Sequence, residues 1–535
     1  MRKRSVVLIA GVATLSVLWV KARRARPAAP PGPLADANDP QPLDVLIIGA
    51  GLSGIGAARH LLAKAPGKQF ELLEARQAIG GTWDLFRYPG VRSDSDVYTL
   101  GYSFKPWRGR TAIADGPDIR QYIQDAADEA GVTRRIRFGH QVKTASWSSA
   151  ANLWTVTSEV QDAEGRMHTV TRQAKFLFLC SGYYSYQEGY RPDFPNEQAF
   201  QGQIVHPQRW PEDLNYAGKR VVVIGSGATA VTLVPALAEQ AAHVTMLQRS
   251  PSYVAVRPLV DDLAMKLQSW APATVAHTVT RWKNILTSIF YYQVARRRPE
   301  LFKQGLLQAA QQHLGDRFNA ADFSPTYKPW DQRVCAVPDG DLFRAIRDGR
   351  ASVVTETIQA FTPHGLRLSS GQDLPADIVV TATGLKLNVL GDIRFQVDGQ
   401  PLEVPRTMVY KGMMLSGVPN FAYAFGYTNS SWTLKAELTA DYVCRLLNHM
   451  DRRGYTAVVP VADPSVEERP LLDFTSGYVT RSMAALPKQG SKQPWQVYQN
   501  YLLDKYTLQV APMDDGTLKF TAARPQPSRT AAAGG

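Results

Sequence analysis

A chain of 535 residues with 44% apolar and 20% charged side chains has room for two or three domains, and most of it is too apolar to be disordered. Its formal net charge of +13 invites a nucleic-acid partner. However, Arg2, Lys3, Arg4, Lys21, Arg23, Arg24 and Arg26 lie in an acid-free tail, and no nucleic-acid motif follows. Cys180, Cys335 and Cys444 are far apart, so no dithiol redox centre or zinc knuckle is signalled, and a reducing compartment fits better than a disulfide framework.

Ser5 to Val20 form an uncharged apolar run with cations on both sides. As a helix it would reach roughly 24 Å, a little short of a hydrocarbon core. A cleaved signal peptide is the competing reading, but "KARRAR" follows where small residues would mark a cleavage site. Residues 1–26 are expected to be a single-pass membrane anchor, with an orientation that the flanking cations leave open. Residues 27–41, rich in Pro and Ala, read as a semi-rigid linker.

The segment "DVLIIGAGLSGIGAARHLL" places Gly49, Gly51 and Gly54 between an apolar strand and a helix beginning near Leu52. The first glycine allows the tight turn, the second lets backbone approach a pyrophosphate, and the third permits close helix–strand packing. The helix N-terminus adds free N–H groups and a positive dipole. Glu74, at the end of the next strand, is an acid suited to ribose hydroxyls. A second unit, "KRVVVIGSGATAVTLVPALAEQAAHVTMLQRS", repeats the pattern with Gly225, Gly227 and Ala230. Its second strand ends in Gln248, Arg249 and Ser250 instead of an acid. An arginine there can pair with a 2′-phosphate that a carboxylate would repel, so NADPH is expected over NADH. The competing reading of Arg249 is a solvated surface charge.

Two dinucleotide sites of different preference suggest a flavin in one and a nicotinamide in the other. The fold expected is α/β, with two Rossmann-like dinucleotide-binding domains, the NADP domain being inserted into the FAD domain. The FAD domain takes residues 42–215 and 376–510, the NADP domain with a helical insertion takes 216–375, and 511–535 is a tail. The strand in "ADIVVTATGL", Ala376 to Leu385, is expected to close the first domain. No G-x-S-x-G, H-E-x-x-H or P-loop lysine competes, and no metal site is expected.

Between the loops lies "FQGQIVHPQRWP", whose Phe200, Gly202, His206, Trp210 and Pro211 match F-x-G-x-x-x-H-x-x-x-W-P. With both loops, this resembles the type I Baeyer–Villiger monooxygenases. "GGTWDLFRYPGVRSDSDVYTLGYSF", Gly80 to Phe104, is similar to that family's flavin-contacting segment, which makes Trp83 and Asp94 implied flavin neighbours. "PTYKPWDQRVCAVPDG" and "MVYKGMMLSGVPNFAYAFGYTNSSWTLKAE" resemble the branch that includes the ethionamide-activating monooxygenase. The resemblance covers about residues 42–510. It implies that NADPH reduces FAD, that O2 adds as a C4a-peroxyflavin, and that attack on a ketone carbonyl gives an ester or lactone. It also implies that Arg333 is the active-site arginine and Asp94 the carboxylate orienting it. Gln332 departs from the lysine found in many members. The competing readings are a salt bridge for Arg333 and a helix or turn cap for Asp94.

His206 has no evident proton to move, and a structural bond across the domain junction is favoured over chemistry. Residues 277–300 read either as a basic amphipathic helix on a membrane or as a cover over the substrate pocket. Two other activities stay open: oxygenation of sulfur or nitrogen (thioethers or thioamides), and a membrane-tethered flavoprotein reductase feeding a quinone. The need for NADPH points the catalytic body toward the cytosol.

Overall fold

The computed structural model describes residues 41–522. Among these residues no helix is long and apolar enough to cross a membrane, and the apolar run Ser5 to Val20 lies outside them. Cys180, Cys335 and Cys444 are buried and unpaired.

The first glycine loop sits in a nine-stranded mixed sheet. Leu43–Ile48, an almost wholly buried run, lies between Phe70–Leu73 and Met167–Leu179, parallel to both. Helix Leu52–Lys64 makes the crossover, and the long helix Trp432–Arg453 packs along it. Met167–Leu179 changes character along its length. Its N-terminal half pairs antiparallel with Leu153–Gln161 and is largely exposed. Its C-terminal "FLFL" is buried and pairs in parallel on both sides, with Leu43–Ile48 and Phe421–Tyr423. This is the pattern of a strand passing from a half-solvated hairpin into a covered parallel sheet.

The second loop sits in a five-stranded parallel sheet in the order Ala351–Thr355, His243–Gln248, Arg220–Ile224, Ile378–Thr381, Gln203–Val205. The expected domain layout needs correcting here. Ile378–Thr381 does not return to the first sheet but lies beside Arg220–Ile224, register Ile378 to Val221. Its four side chains are all buried, so either sheet could have covered them. The fingerprint supplies the edge strand Gln203–Val205 of the same sheet. The chain rejoins the first sheet later, at Arg394–Val397 and Phe421–Tyr423. The expected tail also contains structure, since Leu518–Ala522 pairs antiparallel with Tyr455–Pro460.

Three helices, Asp262–Trp270, Ala273–Arg297 and Pro299–Leu314, follow the second unit's early strands and lie over the space between the two sheets.

Candidate active site

A cleft of about 880 Å³ lies between the first glycine loop and the helical cover. Its wall includes Gly49, Gly51, Glu74, Trp83, Asp94 and Arg333. Gly54 lies behind it, while Gly225, Gly227, Ala230, Arg249 and Ser250 belong to the second loop and do not line it.

The first loop's geometry explains its glycines. Gly49 has φ 103° and donates its N–H to the Leu73 carbonyl at 2.7 Å. A Cβ there would stand 2.5 Å from the Cys180 carbonyl oxygen, and one on Gly54 only 1.9 Å from that of Gly49. Gly51 is less confined and presents bare backbone to the cleft. Glu74 Oε2 accepts from the Ala50 N–H at 2.7 Å and its Oε1 from the Arg76 N–H at 2.9 Å. Burial dominates and raises its pKa, against those two bonds and the Arg76 charge. Glu74 therefore ties the loop to the strand end as well as facing the cleft.

Trp83 is the second residue of the short helix Thr82–Leu85, which follows Gly81 at φ 58°. Beyond it, Asp96 caps Val97–Leu100 by accepting from the Thr99 N–H at 3.0 Å. Asp94 is not that cap. Its partner is Arg333, at 3.9 Å between Oδ2 and Nη1. Enclosure by protein raises the Asp94 pKa, with Arg333 and then Arg92 acting the other way. The carboxylate nevertheless faces open cleft, with its side chain 39% exposed.

Arg333 follows a tight turn in which Trp330 adopts φ 71°, a strained position for a bulky side chain. The indole of Trp330 meets Tyr292 edge-on at 5.6 Å. Arg333 Nη2 donates toward the Tyr183 hydroxyl at 3.4 Å. Its pKa is pushed up, first by Tyr183 and also by Tyr478 and Asp94, against the cost of desolvation. Two residues on, Cys335 opens strand Cys335–Pro338, and its Sγ lies 3.9 Å from the Ser226 carbonyl in the second glycine loop. Arg333 thus stands on a segment tied to one dinucleotide unit and reaches a carboxylate on the other.

The residues fit the flavin and nicotinamide they imply. Ser181 Oγ, Trp330 Nε1 and Asn429 Oδ1 line the cleft as buried polar atoms with no hydrogen-bond partner among the described residues. Such atoms are costly unless a polar ligand meets them. Sequence reasoning missed Tyr183, Trp330, Asn429 and Trp432. Tyr183 stacks on Trp432 at 4.8 Å, and the Trp432 Nε1 donates to Ser53 Oγ at 2.7 Å. The only available signal was local aromatic density in "YYSY" and "NSSW".

His206 lies outside the cleft. Its ring lies against Gly189, where an added Cβ would stand 2.0 Å from Cε1, and its Nδ1 accepts from the Gln208 N–H at 3.2 Å. Burial is the main cause of its lowered pKa, which disfavours a charged ring. In the second loop Gly225 has φ 133° and Gly227 has open space around it. Arg249 and Ser250 are exposed, and Ser226 Oγ donates to the Ser250 carbonyl at 3.0 Å. Sequence gave no pointer to Arg481, which lies 3.4 Å over the Tyr190 ring, beside Gly384. Its pKa is lowered, by desolvation first and also by the Arg249 charge.

A family model described as flavin-binding monooxygenase-like matches residues 113–391, and one for an NAD(P)-binding Rossmann-like domain matches residues 47–107. The chain belongs to the flavin-binding monooxygenase-like family. It is 54% identical to the FAD-containing monooxygenase EthA of Mycobacterium tuberculosis (strain ATCC 25618 / H37Rv), over 91% of this chain and 99% of the relative. EthA of Mycolicibacterium smegmatis is 51% identical over 90% of this chain and 97% of its own. The fold resembles oxidised steroid monooxygenase bound to NADP, with a TM-score of 0.69 and 21% identity over 90% of this chain and all of that one. It also resembles the open form of cyclohexanone monooxygenase, with a TM-score of 0.65 and 20% identity over 79% and 90% of the two chains. This flavin monooxygenase uses FAD and NADP(H) as cofactors.

Arg249→Ala is expected to raise KM for NADPH by about 10- to 100-fold, the loss of one charge-assisted phosphate contact, with little change for NADH. Arg481→Ala should move the same ratio in the same direction. Steady-state kinetics with both nucleotides check this, and equal effects on the two would leave Arg249 as a surface charge.

Proposed function

We propose that this flavin monooxygenase inserts one oxygen atom beside a ketone carbonyl, giving an ester or lactone. The observation that carries the reading is Arg333, a permanently charged guanidinium in the cleft, 3.9 Å from Asp94 and two residues ahead of the strand whose Cys335 touches the second glycine loop. When bound, the flavin supplies electron transfer from NADPH and activation of O2. The chain supplies the surroundings. Arg333 holds a fixed positive charge where anionic character develops, and it cannot lose its proton to a basic neighbour. Asp94 orients that charge without neutralising it by close contact. Tyr183, Trp330 and Trp432 give the cleft an aromatic wall, against which a bound ligand would shield the charge from water.

Incubation with NADPH and labelled O2 across a panel of ketones and thioethers tests the reading. One labelled oxygen in an ester is expected. Labelled sulfoxide without ester from any ketone would replace it with heteroatom oxygenation, and quinone reduction without oxygen insertion would replace it with a reductase. Residues 1–26, outside the described part, are proposed as a membrane anchor with the catalytic body on the cytosolic side, where NADPH is supplied.

A further inference from the structure

Helix Ala273–Arg297 has three distinct sectors. Its buried side carries Ala276, His277, Thr280, Arg281 and Ile285. A second sector, Lys283, Asn284, Thr287, Ser288 and Tyr291, lines the cleft. The third is exposed: Val275 (42%), Val279 (36%), Leu286 (47%) and Phe290 (63%). At about 100° per residue these four fall within about 60° of one another, so they form one stripe along the helix.

The stripe does not stop at the helix edges. On one side Trp282 meets Tyr501 at 6.0 Å, which leads onto the neighbouring turn where Leu502, Leu503, Tyr506 and Val510 are 41–67% exposed. On the other side Phe290 meets Tyr291 at 5.8 Å, and Tyr291, Val260 and Leu263 are exposed residues of the cleft rim. Monomers rarely leave a continuous apolar surface of this kind uncovered.

We infer that this face docks on an anionic lipid bilayer, bringing the mouth of the cleft to the membrane surface. Charge favours lipid over a second copy of the chain. Lys266, Arg297 and Arg298 are exposed around the stripe and pair with no acid among the described residues, while Lys505 stands over Trp282. Asp262 and Glu300 are exposed acids interspersed with them, and Asp473 faces Arg296 at 3.9 Å. A two-fold contact through the stripe would gather the cations of both copies at one interface with few acids to offset them. Anionic headgroups would instead neutralise them while the acyl boundary takes Leu286 and Phe290. The chain outside the described part supports the same partner, because residues 1–26 combine an apolar run with flanking cations. Docking does not depend on which substrate the cleft oxidises. If the proposed reaction holds, a bilayer-dissolved ketone would reach Arg333 without crossing water.

The full-length protein tests this. The three native cysteines are buried, so Leu286→Cys and Phe290→Cys can each carry an environment-sensitive fluorophore, with Glu164→Cys on the remote hairpin as control. On vesicles of phosphatidylcholine and phosphatidylglycerol carrying a lipid-borne quencher, the labels at 286 and 290 should be quenched and the one at 164 should not. The double change Leu286→Asp with Phe290→Asp should relieve most of the quenching of a label at Leu503→Cys on the same face, whether or not residues 1–26 hold the chain on the vesicle, with NADPH oxidation unchanged. Vesicle binding without quenching at 286 or 290 overturns the inference. So does a label shielded before lipid is added, whether that shielding grows with protein concentration (a second copy) or does not (the chain's own tail).

Discussion

Arg333→Ala is expected to leave flavin reduction by NADPH nearly unchanged while oxygenated product falls by about 10²- to 10³-fold, the scale of losing one preorganised charge-stabilising group. Reduction needs the two dinucleotide loops, and Arg333 belongs to neither glycine turn. In the proposed reaction, product formation needs a cation already in place when anionic character develops, and Arg333 is the cleft cation that Asp94 and Tyr183 flank. Anaerobic stopped-flow reduction set against product yield separates the two steps. Arg333→Lys should recover only part of the yield, since a point charge cannot address Asp94 and Tyr183 with a planar fork. Asp94→Asn keeps the cation but removes its counter-charge, so it should show a smaller loss than Arg333→Ala. Normal yield from Arg333→Ala would remove the residue from the proposed mechanism.

The sequence disclosed those elements whose pattern is local. Each glycine loop is a strand, a turn and a helix within about thirty residues, and the turn that Gly49 requires is set by its immediate neighbours. Arg333 and Asp94 were legible only through their surrounding motifs, since nothing local brings positions so far apart to 3.9 Å. The placement of Ile378–Thr381 was not legible. A short buried run of β-branched residues is equally at home in either parallel sheet, and the choice is made by long-range pairing with Arg220–Ile224 and Gln203–Val205. The same limit hid Trp432, whose stacking on Tyr183 crosses nearly half of the chain. The helix over 277–300 illustrates a subtler case. Its apolar positions Val279, Trp282, Leu286, Ile289 and Phe290 formed one pattern in sequence, yet the fold divides them. Trp282 and Ile289 pack inward near Ile285, Tyr427 and Leu434, while Val279, Leu286 and Phe290 face outward. The pocket-cover reading describes the sector that lines the cleft, and the outward sector is the one proposed above to meet lipid.

Glu437→Gln is expected to cost about 3–5 kcal/mol of stability, the range for leaving a buried charge without its partner. Glu437 is 8% exposed and Arg281 6%, and the Arg281 Nη2 donates to Glu437 Oε2 at 2.8 Å. Arg281 also donates to the carbonyls of Tyr98 at 2.7 Å and Gly101 at 2.6 Å, and the Ser103 hydroxyl donates to Glu437 at 2.8 Å. This cluster fastens the helix that walls the cleft to the body carrying the first glycine loop, so its loss should reach the cleft through Lys283 to Tyr291. The pH dependence gives an independent readout. Burial pushes the Glu437 carboxyl up, but bonds and charges from His60, Arg281 and Ser103 outweigh it and bring the pKa from 4.5 down to about 2. A carboxylate depressed in the folded state contributes stability that is complete above its unfolded pKa and is lost as pH falls through the folded one. The gap in melting temperature between wild type and Glu437→Gln should therefore be widest above pH 4.5 and close as pH approaches 2. A gap that stayed constant across that window would mean that the charge of Glu437 contributes nothing and that only its shape matters. Because Arg281 keeps its carbonyl partners in the variant, the helix is expected to loosen rather than detach, with weaker flavin retention preceding global unfolding.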